Sequence, residues 1–241
     1  MLRGKHGAAH SQTLRLTNNT AQTLAFDMEA MDVVTRDGQR IFVPAGEESR
    51  SIAATAVFSQ KEVVIPAGAT GEVTVTLTVV PETAIRAVAV LFRGKTTAGS
   101  RAGVGMTASL GSLLTFTLSD HFRVEPSPVE VTKQTDSANV AFSQWLTNAG
   151  MEPVIANGVV AVLSEKGTLV GKVPIQPQRL LPGEKLEFRT DYPSQLSSGQ
   201  YHAVLSLQYE DKVLTTSADL VVRPAMADTV ADSSAAQPPE R

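Results

Sequence analysis

The residues of this chain best suited to metal binding or proton transfer are four histidines, His6, His10, His121 and His202, since cysteine is absent. Metal ligands must be gathered by one coherent element or by neighbouring ones. His6 and His10 are four apart, a spacing that a helix would align, but the residues around them carry no helical pattern. No histidine pair combines metal-ligand spacing with a carboxylate, and the lack of cysteine removes thiol nucleophiles and thiolate zinc sites together. There is no Gly-x-Ser-x-Gly elbow to present a serine nucleophile. Ser197-Ser198 belong to a turn, and Glu47-Glu48, Asp191 and Glu210-Asp211 also sit at turns, where carboxylates are solvated. The reading is non-enzymatic, with no catalytic residue, no cofactor and no metal. A hydrolase would need a non-contiguous site, in which a pocket joins His121 or His202 to a nucleophile and a carboxylate.

Two glycine patterns point towards phosphate binding, and each lacks its context. Gly94-Lys95-Thr96 ends like a phosphate loop, but the earlier glycine that the loop requires is Ala89. Gly103-Val-Gly105 is a loose dinucleotide fingerprint, which needs a helix after it; Ser112-Leu-Leu-Thr-Phe-Thr-Leu118 alternates like a strand instead. A net charge of −3 supplies no basic field to displace counterions, so nucleic acid is excluded as a partner. No apolar run approaches the roughly 20 residues of a membrane-crossing helix. Met1 to His10 holds two cations, Arg3 and Lys5, without an apolar core behind them, so it is no secretory signal. Either the protein stays inside or its leader lies outside this sequence.

The elements that position these residues read as strands. Leu186 and Phe188 face opposite to Glu187 and Arg189, and Tyr201, Ala203, Leu205, Leu207 and Tyr209 alternate with polar neighbours. Between these runs, Leu196-Ser-Ser-Gly-Gln-Tyr201 resembles the tyrosine corner of immunoglobulin-like sandwiches, with Tyr201 as the structural corner. Earlier, Thr23–Ala30 and Glu72–Val79 alternate cleanly, Asp37-Gly38 is hairpin-turn chemistry, and Ile41–Gln60 reads as an insertion with an edge strand near Ile52–Phe58. Ile85–Phe92 is apolar on both faces, which predicts a central strand or one covered by the neighbouring domain. Asn18-Asn19-Thr20 is a glycosylation sequon, a three-residue pattern that often arises by chance and matters only in a eukaryotic secretory setting. Trp145, the only tryptophan, is out of phase with Val140, Phe142 and Leu146 and is read as an exposed contact.

Three short matches recur in order between the halves: Leu16-Thr-Asn18 with Leu146-Thr-Asn148, Ile65-Pro-Ala-Gly68 with Leu181-Pro-Gly183, and Ile85-Arg-Ala-Val88 with Tyr201-His-Ala-Val204. At 241 residues the chain accommodates two such units. The fold class is all-β: two tandem immunoglobulin-like β-sandwich domains, 1–120 and 121–223, with a disordered tail over 224–241. The second unit has about sixteen residues for a strand before its Leu-Thr-Asn, a usual strand length being well within that. The first has only Met1–His10, glycine-rich and unpatterned. Either the first sandwich lacks its first strand, or Met1 is not the natural start. A missing strand would leave an edge unpaired beside Leu14 and Leu16, open to a partner strand or to self-association, and would make residues 11–118 less stable than 122–222.

The strands ending in Thr-Asn, the Pro-Ala-Gly or Pro-Gly turn and the Gly-x-Tyr before an apolar run resemble bacterial extracytoplasmic immunoglobulin-like domains. That group includes the two-domain periplasmic pilus-assembly chaperones and cell-surface β-sandwich proteins. The chaperones' basic pair in the inter-domain cleft and their apolar donor strand are not matched residue by residue. The resemblance implies a binding or assembly module of the periplasm or cell surface, chaperone-like, taking a protein or peptide strand through sheet edges and the inter-domain groove. The competing expectation is a structural spacer or adhesion protein of the cell surface.

Overall fold

A computed structural model describes residues 2–95, 109–133, 140–193 and 196–222. The first half supplies β1 (Leu2–Arg3), β2 (Ala9–Thr17), β3 (Leu24–Arg36), β4 (Gln39–Pro44), β5 (Val57–Phe58), β6 (Glu62–Ile65), β7 (Thr70–Thr78), β8 (Ala87–Gly94) and β9 (Ser109–Thr117). One sheet runs β1-β9-β8-β3-β4, with β6 also on β3, and faces a sheet of order β2-β7-β5. Period-two alternation decides what lies between them. Val73, Val75 and Leu77 of β7 are buried against Phe26, Val88 and Phe116 of the larger sheet. On the outer side of β7, hydroxyls pair with those of β2: Ser11 with Thr76, Thr13 with Thr74 and Thr17 with Thr70.

The second half supplies β10 (Val124–Pro126), β11 (Glu130–Lys133), β12 (Val140–Asn148), β13 (Val154–Ser164), β14 (Leu169–Leu180), β15 (Lys185–Tyr192), β16 (Gly199–Tyr209) and β17 (Lys212–Val222). β10, β11 and β15 pair with β12, and the facing sheet runs β14-β13-β16-β17. Its core is built from Phe142, Leu146, Phe188, Leu205, Leu207 and their neighbours. Two immunoglobulin-like sandwiches in tandem result, as the strand pattern predicts. Asp37 (φ 53) and Gly38 (φ +78) form the two-residue turn between β3 and β4, a left-handed pair that glycine makes cheap.

The repeat has a physical cause. Asn18 is 1% exposed; its amide donates to the carbonyls of Gln22 (2.7 Å) and Ile65 (2.9 Å), and its oxygen accepts from the Thr20 amide (3.0 Å). Asn148 is fully buried and donates to the carbonyls of Glu152 (2.9 Å) and Leu180 (3.1 Å), accepting from the Gly150 amide (3.0 Å). The backbone of each asparagine also ties to its glycine turn, Gly68 to Asn18 at 2.9 Å and Gly183 to Asn148 at 2.8 Å. Both halves thus fasten a strand end to the turn before a late strand with the same buried amide. The burial of Asn18 agrees with the chance reading of the sequon, because an enclosed side chain bonded at its polar atoms offers no acceptor to a glycosyl group in the folded chain.

Three expectations change. Residues before Ser11 are structured: Leu2 and Arg3 pair in parallel with Phe116 and Thr117, and Ala9 and His10 already belong to β2. The chain crosses from one sheet to the other through Gly4–Ala8, held by the bond from the Gly4 amide to the Thr117 carbonyl at 3.1 Å and from the Gly7 amide to the Val79 carbonyl at 2.6 Å. The Ile41–Gln60 stretch carries a 3-10 turn at Ala53–Thr55, pinned because the buried Asp32 carboxylate accepts the Ile52 (3.1 Å) and Ala53 (2.9 Å) amides. Within Ile52–Phe58, only Val57–Phe58 is strand. Gly103-Val-Gly105 and the tail over 224–241 lie outside the described residues.

Candidate functional site

Strand β9 is the residue run around which a site can be built. It pairs with β8 along its length, Ala87 opposite Thr115 through Arg93 opposite Ser109. On its other side, among the described strands, only β1 covers it, at Phe116 and Thr117. The Phe116 amide donates inward to the Arg86 carbonyl at 2.8 Å, so by the alternation of an antiparallel ladder the backbone groups of Ser109, Gly111, Leu113 and Thr115 point to the free side. Consistent with that, the Leu113 carbonyl accepts from Arg179 Nη1, across from the second sandwich, at 3.3 Å. Burial lowers the pKa of the Arg179 guanidinium, and the charge of Arg40 adds to the lowering.

Side chains on both faces of this edge are apolar. Leu114 and Phe116 reach into the main core, and Leu110 at the far end is 46% exposed. On the outer face, Leu113 and Leu91 pack beside Val33, Ala87, Ala89 and Leu181, the last contributed by the second sandwich. The two-faced apolar pattern of Ile85–Phe92 is thereby explained: β8 is central and its outer face lies under the neighbouring domain.

Other sheet edges are guarded. Among described edge strands longer than two residues, β4 carries Arg40 and Pro44, β14 carries Pro174 and Pro177, β10 carries Pro126, and β2, β6, β11, β15 and β17 all carry charges. Prolines and charges block strand addition. Ser109-Leu-Gly-Ser-Leu-Leu-Thr-Phe-Thr117 has neither.

Polar ties join the two sandwiches close to β9. Arg86, 8% exposed, sets its Nε 3.2 Å from Oε2 of Glu152, which is completely buried. Arg86 Nη1 also donates to the Thr83 carbonyl (2.8 Å), while Glu152 accepts the Leu118 amide (3.0 Å) and the Ser119 hydroxyl (2.7 Å). Arg40 Nε lies 2.8 Å from Glu184 Oε1, and Glu184 Oε2 accepts the Leu181 amide at 2.7 Å. The Lys185 amide donates to the Gly38 carbonyl at 2.9 Å, so the β3–β4 turn rests on the start of β15. A cleft of about 290 Å³ lies where β1 meets the second sandwich, lined by Arg3, Asp120, Phe122, Glu210, Asp211 and Lys212.

Leu14 and Leu16 are half-buried on β2, whose only partner among the described strands is β7, so they lie on an edge strand. That edge is on the same flank as β9: the His10 ring of β2 is 6.0 Å from the Phe116 ring. Trp145 is 37% exposed on β12, opposite Glu187, with Lys185 Nζ 5.2 Å from its ring centre. The Tyr201 hydroxyl donates to the Ser197 carbonyl at 2.8 Å. The structure therefore gathers none of these three places onto β9. His202 meets the Asp219 carboxylate at the surface, and His121 lies in the connection between sandwiches; neither lines the cleft just described. Among the described residues no group of three or more histidine or acidic side chains is placed to hold a metal ion. Sequence reading missed the β9 edge and Arg86. A lone arginine inside an otherwise apolar run was the available signal for the second.

No family model matches the chain, and no curated protein matches it at a significant level. Solved structures give distant similarities. A chain of the CsuC–CsuE chaperone–tip adhesion subunit pre-assembly complex from Csu pili of Acinetobacter baumannii is 10% identical, over 89% of this chain and 94% of that one, at a TM-score of 0.43. The E. coli chaperone DraB is 12% identical, over 91% and 94%, at 0.42. The class 5 fimbriae chaperone CfaA is 12% identical, over 93% and 96%, at 0.42. Likeness at these values assigns no function to this chain, whose own edge and groove must supply one.

Proposed function

We propose that this protein is a non-enzymatic capture module that adds an extended strand of a partner protein to the free edge of β9, within the groove between its two sandwiches. The observation that carries the reading is the unguarded edge itself, Ser109 to Thr115, with outward backbone donors and acceptors and apolar side chains on both faces. Strand addition draws affinity from ladder hydrogen bonds and specificity from the pockets for alternate side chains. An incoming strand would place one set of side chains over Leu110 and Leu114 and the other beside Leu113 and Leu91. The role is chaperone-like, protecting or delivering a partner, and its setting outside the cytoplasm rests on the family resemblance of the sequence motifs. A spacer needs no such edge.

A labelled synthetic peptide copying Glu72–Val79, alternating and uncharged after its first residue, serves as the probe in fluorescence anisotropy. Saturable binding is expected in the native chain. Leu113→Pro removes one outward donor without touching the bonds to β8 and should weaken binding about tenfold or more, one ladder bond with its neighbours displaced being worth at least about 1.4 kcal/mol. Binding that is equal in Leu113→Pro, with the variant folded by circular dichroism, would sink the assignment to β9.

A further inference from the structure

Strand β17 ends the sheet β14-β13-β16-β17, and among the described strands none pairs with its outer side. Its only charges are Lys212 at the start and Asp219, so Val213–Ala218 is an uncharged run. Tyr209 and Lys212 face each other across a two-residue hairpin, which makes them a hydrogen-bonded pair. By alternation, the even-numbered residues of β17 turn their backbone groups to β16, and the odd-numbered ones, Val213 to Val221, turn theirs outward. The side chains follow the same period. Odd positions stand on the solvent face, where Val213 is 63% and Val221 55% exposed; even positions face the core, where Leu220 is buried and Leu214 partly so.

We propose that β17 is a self-association edge, on which a second copy of this chain lays its own β17 antiparallel about a two-fold axis at Ser217. The pattern of the strand itself names the occupant. A self-complementary contact pairs residues of the same face, so the axis must pass through a residue, and each choice fixes every pair. With the axis at Thr215, Asp211 meets Asp219; at Asp219, that carboxylate meets its own copy; like charges directly opposite are destabilising. At Thr216 the exposed Val213 meets Asp219, and at Ala218 it meets no residue of the partner strand, which ends at Val222. At Ser217, Val213 meets Val221 on the solvent face and Leu214 meets Leu220 on the core face, each pair occurring twice. Asp219 then meets the Thr215 hydroxyl and keeps His202 on its other side. The facing odd residues exchange about ten ladder bonds in all. Asp211 and Asp219 thus penalise other registers and leave this one open, which is how an edge that carries charges admits one partner. Lys212 donates to the Phe122 carbonyl at 2.8 Å and so marks the end of β17 next to the first sandwich. Antiparallel pairing sends the two first sandwiches to opposite ends of the joint sheet.

Sedimentation velocity of the full chain across a concentration series is expected to show a reversible passage from monomer to dimer. Leu113→Pro, which spoils the β9 edge, should leave that dimer unchanged. Ser217→Pro removes the outward N–H of both copies at the axis without touching the bonds to β16, and should weaken dimerisation about tenfold or more. Because the chain has no cysteine, the axis can be read directly. Ser217→Cys places two thiols on Cα atoms about 5.5 Å apart, within disulfide reach, whereas Thr215→Cys sets them roughly 14 Å apart. Mild oxidation should therefore join Ser217→Cys into a covalent dimer and leave Thr215→Cys as single chains. Both positions are exposed, so the cysteine variants keep the test open should the proline variant fail to fold. A native chain that stays monomeric into the millimolar range overturns the proposal. So does a native-strength dimer in folded Ser217→Pro, a dimer lost in Leu113→Pro, or oxidation of Thr215→Cys as fast as that of Ser217→Cys, since each places the contact elsewhere.

Discussion

Replacing Asn148 by alanine tests the device on which each sandwich is built. The side chain is fully buried and makes three hydrogen bonds, two given and one received, at 2.9 to 3.1 Å. Alanine leaves the Glu152 and Leu180 carbonyls and the Gly150 amide without that partner. Each such loss costs about 1 kcal/mol net where water or a small shift compensates, and up to about 3 where it cannot. The Gly150 loop is crowded against Arg123 and His121, which limits relaxation, so about 3 to 5 kcal/mol is expected for the three together. In a domain of this size that lowers the melting temperature by more than about 10 °C, at roughly 4–8 °C per kcal/mol. Trp145 is the only tryptophan and lies in the second sandwich, so urea unfolding followed by its fluorescence reads that domain alone. Asn148→Asp keeps the shape, loses both donors and turns a charge towards two carbonyls; it should cost at least as much. Asn157→Ala, on an exposed β13 position, is the control. A midpoint for Asn148→Ala within error of Asn157→Ala would refute the staple.

Tyr201→Phe removes the bond to the Ser197 carbonyl from a nearly buried ring and should lower stability by about 1 kcal/mol, read in the same unfolding experiment; an unmoved midpoint would reduce the corner to packing. Asp32→Ala strips two amides of the 3-10 turn of their acceptor and should cost about 2 to 4 kcal/mol in the first sandwich, whereas Asp32→Asn, which keeps an acceptor oxygen, should cost less; equal losses in calorimetry would argue against the carboxylate's role. Along β9, hydrogen exchange should alternate, with the amides of Gly111 and Leu113 fast and those of Ser112 and Leu114 slow, and the Glu72–Val79 peptide should protect the fast set; uniform rates would contradict the ladder parity.

Local patterns carried the elements well. Alternation located β7, β15 and β16, Asp37-Gly38 located a hairpin, and the apolar faces of Ile85–Phe92 announced a covered central strand. The repeated Leu-Thr-Asn was legible as a repeat, though its cause, a buried amide bonded to a turn some thirty to fifty residues away, was not. What sequence could not reveal was pairing. β1 is two residues long and has no period to read, and its place on β9 is set by a contact more than a hundred residues distant. The same holds for the edge: Leu14 and Leu16 stand out in the sequence because no strand pattern precedes them, whereas the less guarded edge on that flank belongs to β9. Whether a strand is central or marginal depends on its neighbours, and those are non-local. Arg86 and Glu152, 66 positions apart, fall under the same limit.

An unguarded apolar edge is a hazard to any protein in water, since a second sheet can add to it as readily as a partner strand. The arrangement around β9 restricts that. β1 occupies the Phe116–Thr117 end, and the second sandwich stands within one arginine side chain of Leu113, close enough for Arg179 to bond its carbonyl. An extended strand is one layer thick, whereas the edge of another sandwich, about 10 Å from sheet to sheet, meets the second domain first. Geometry therefore does for β9 what proline and charge do for the other edges, and of the outward backbone groups it occupies the Leu113 carbonyl, which an incoming strand would take over from Arg179. If this is the reason the edge is tolerated, loosening the junction by Arg86→Met combined with Glu152→Met should raise self-association. Analytical ultracentrifugation of that double variant measures it directly, and a variant that associates no more than the native chain would show that the second sandwich is not what protects the edge.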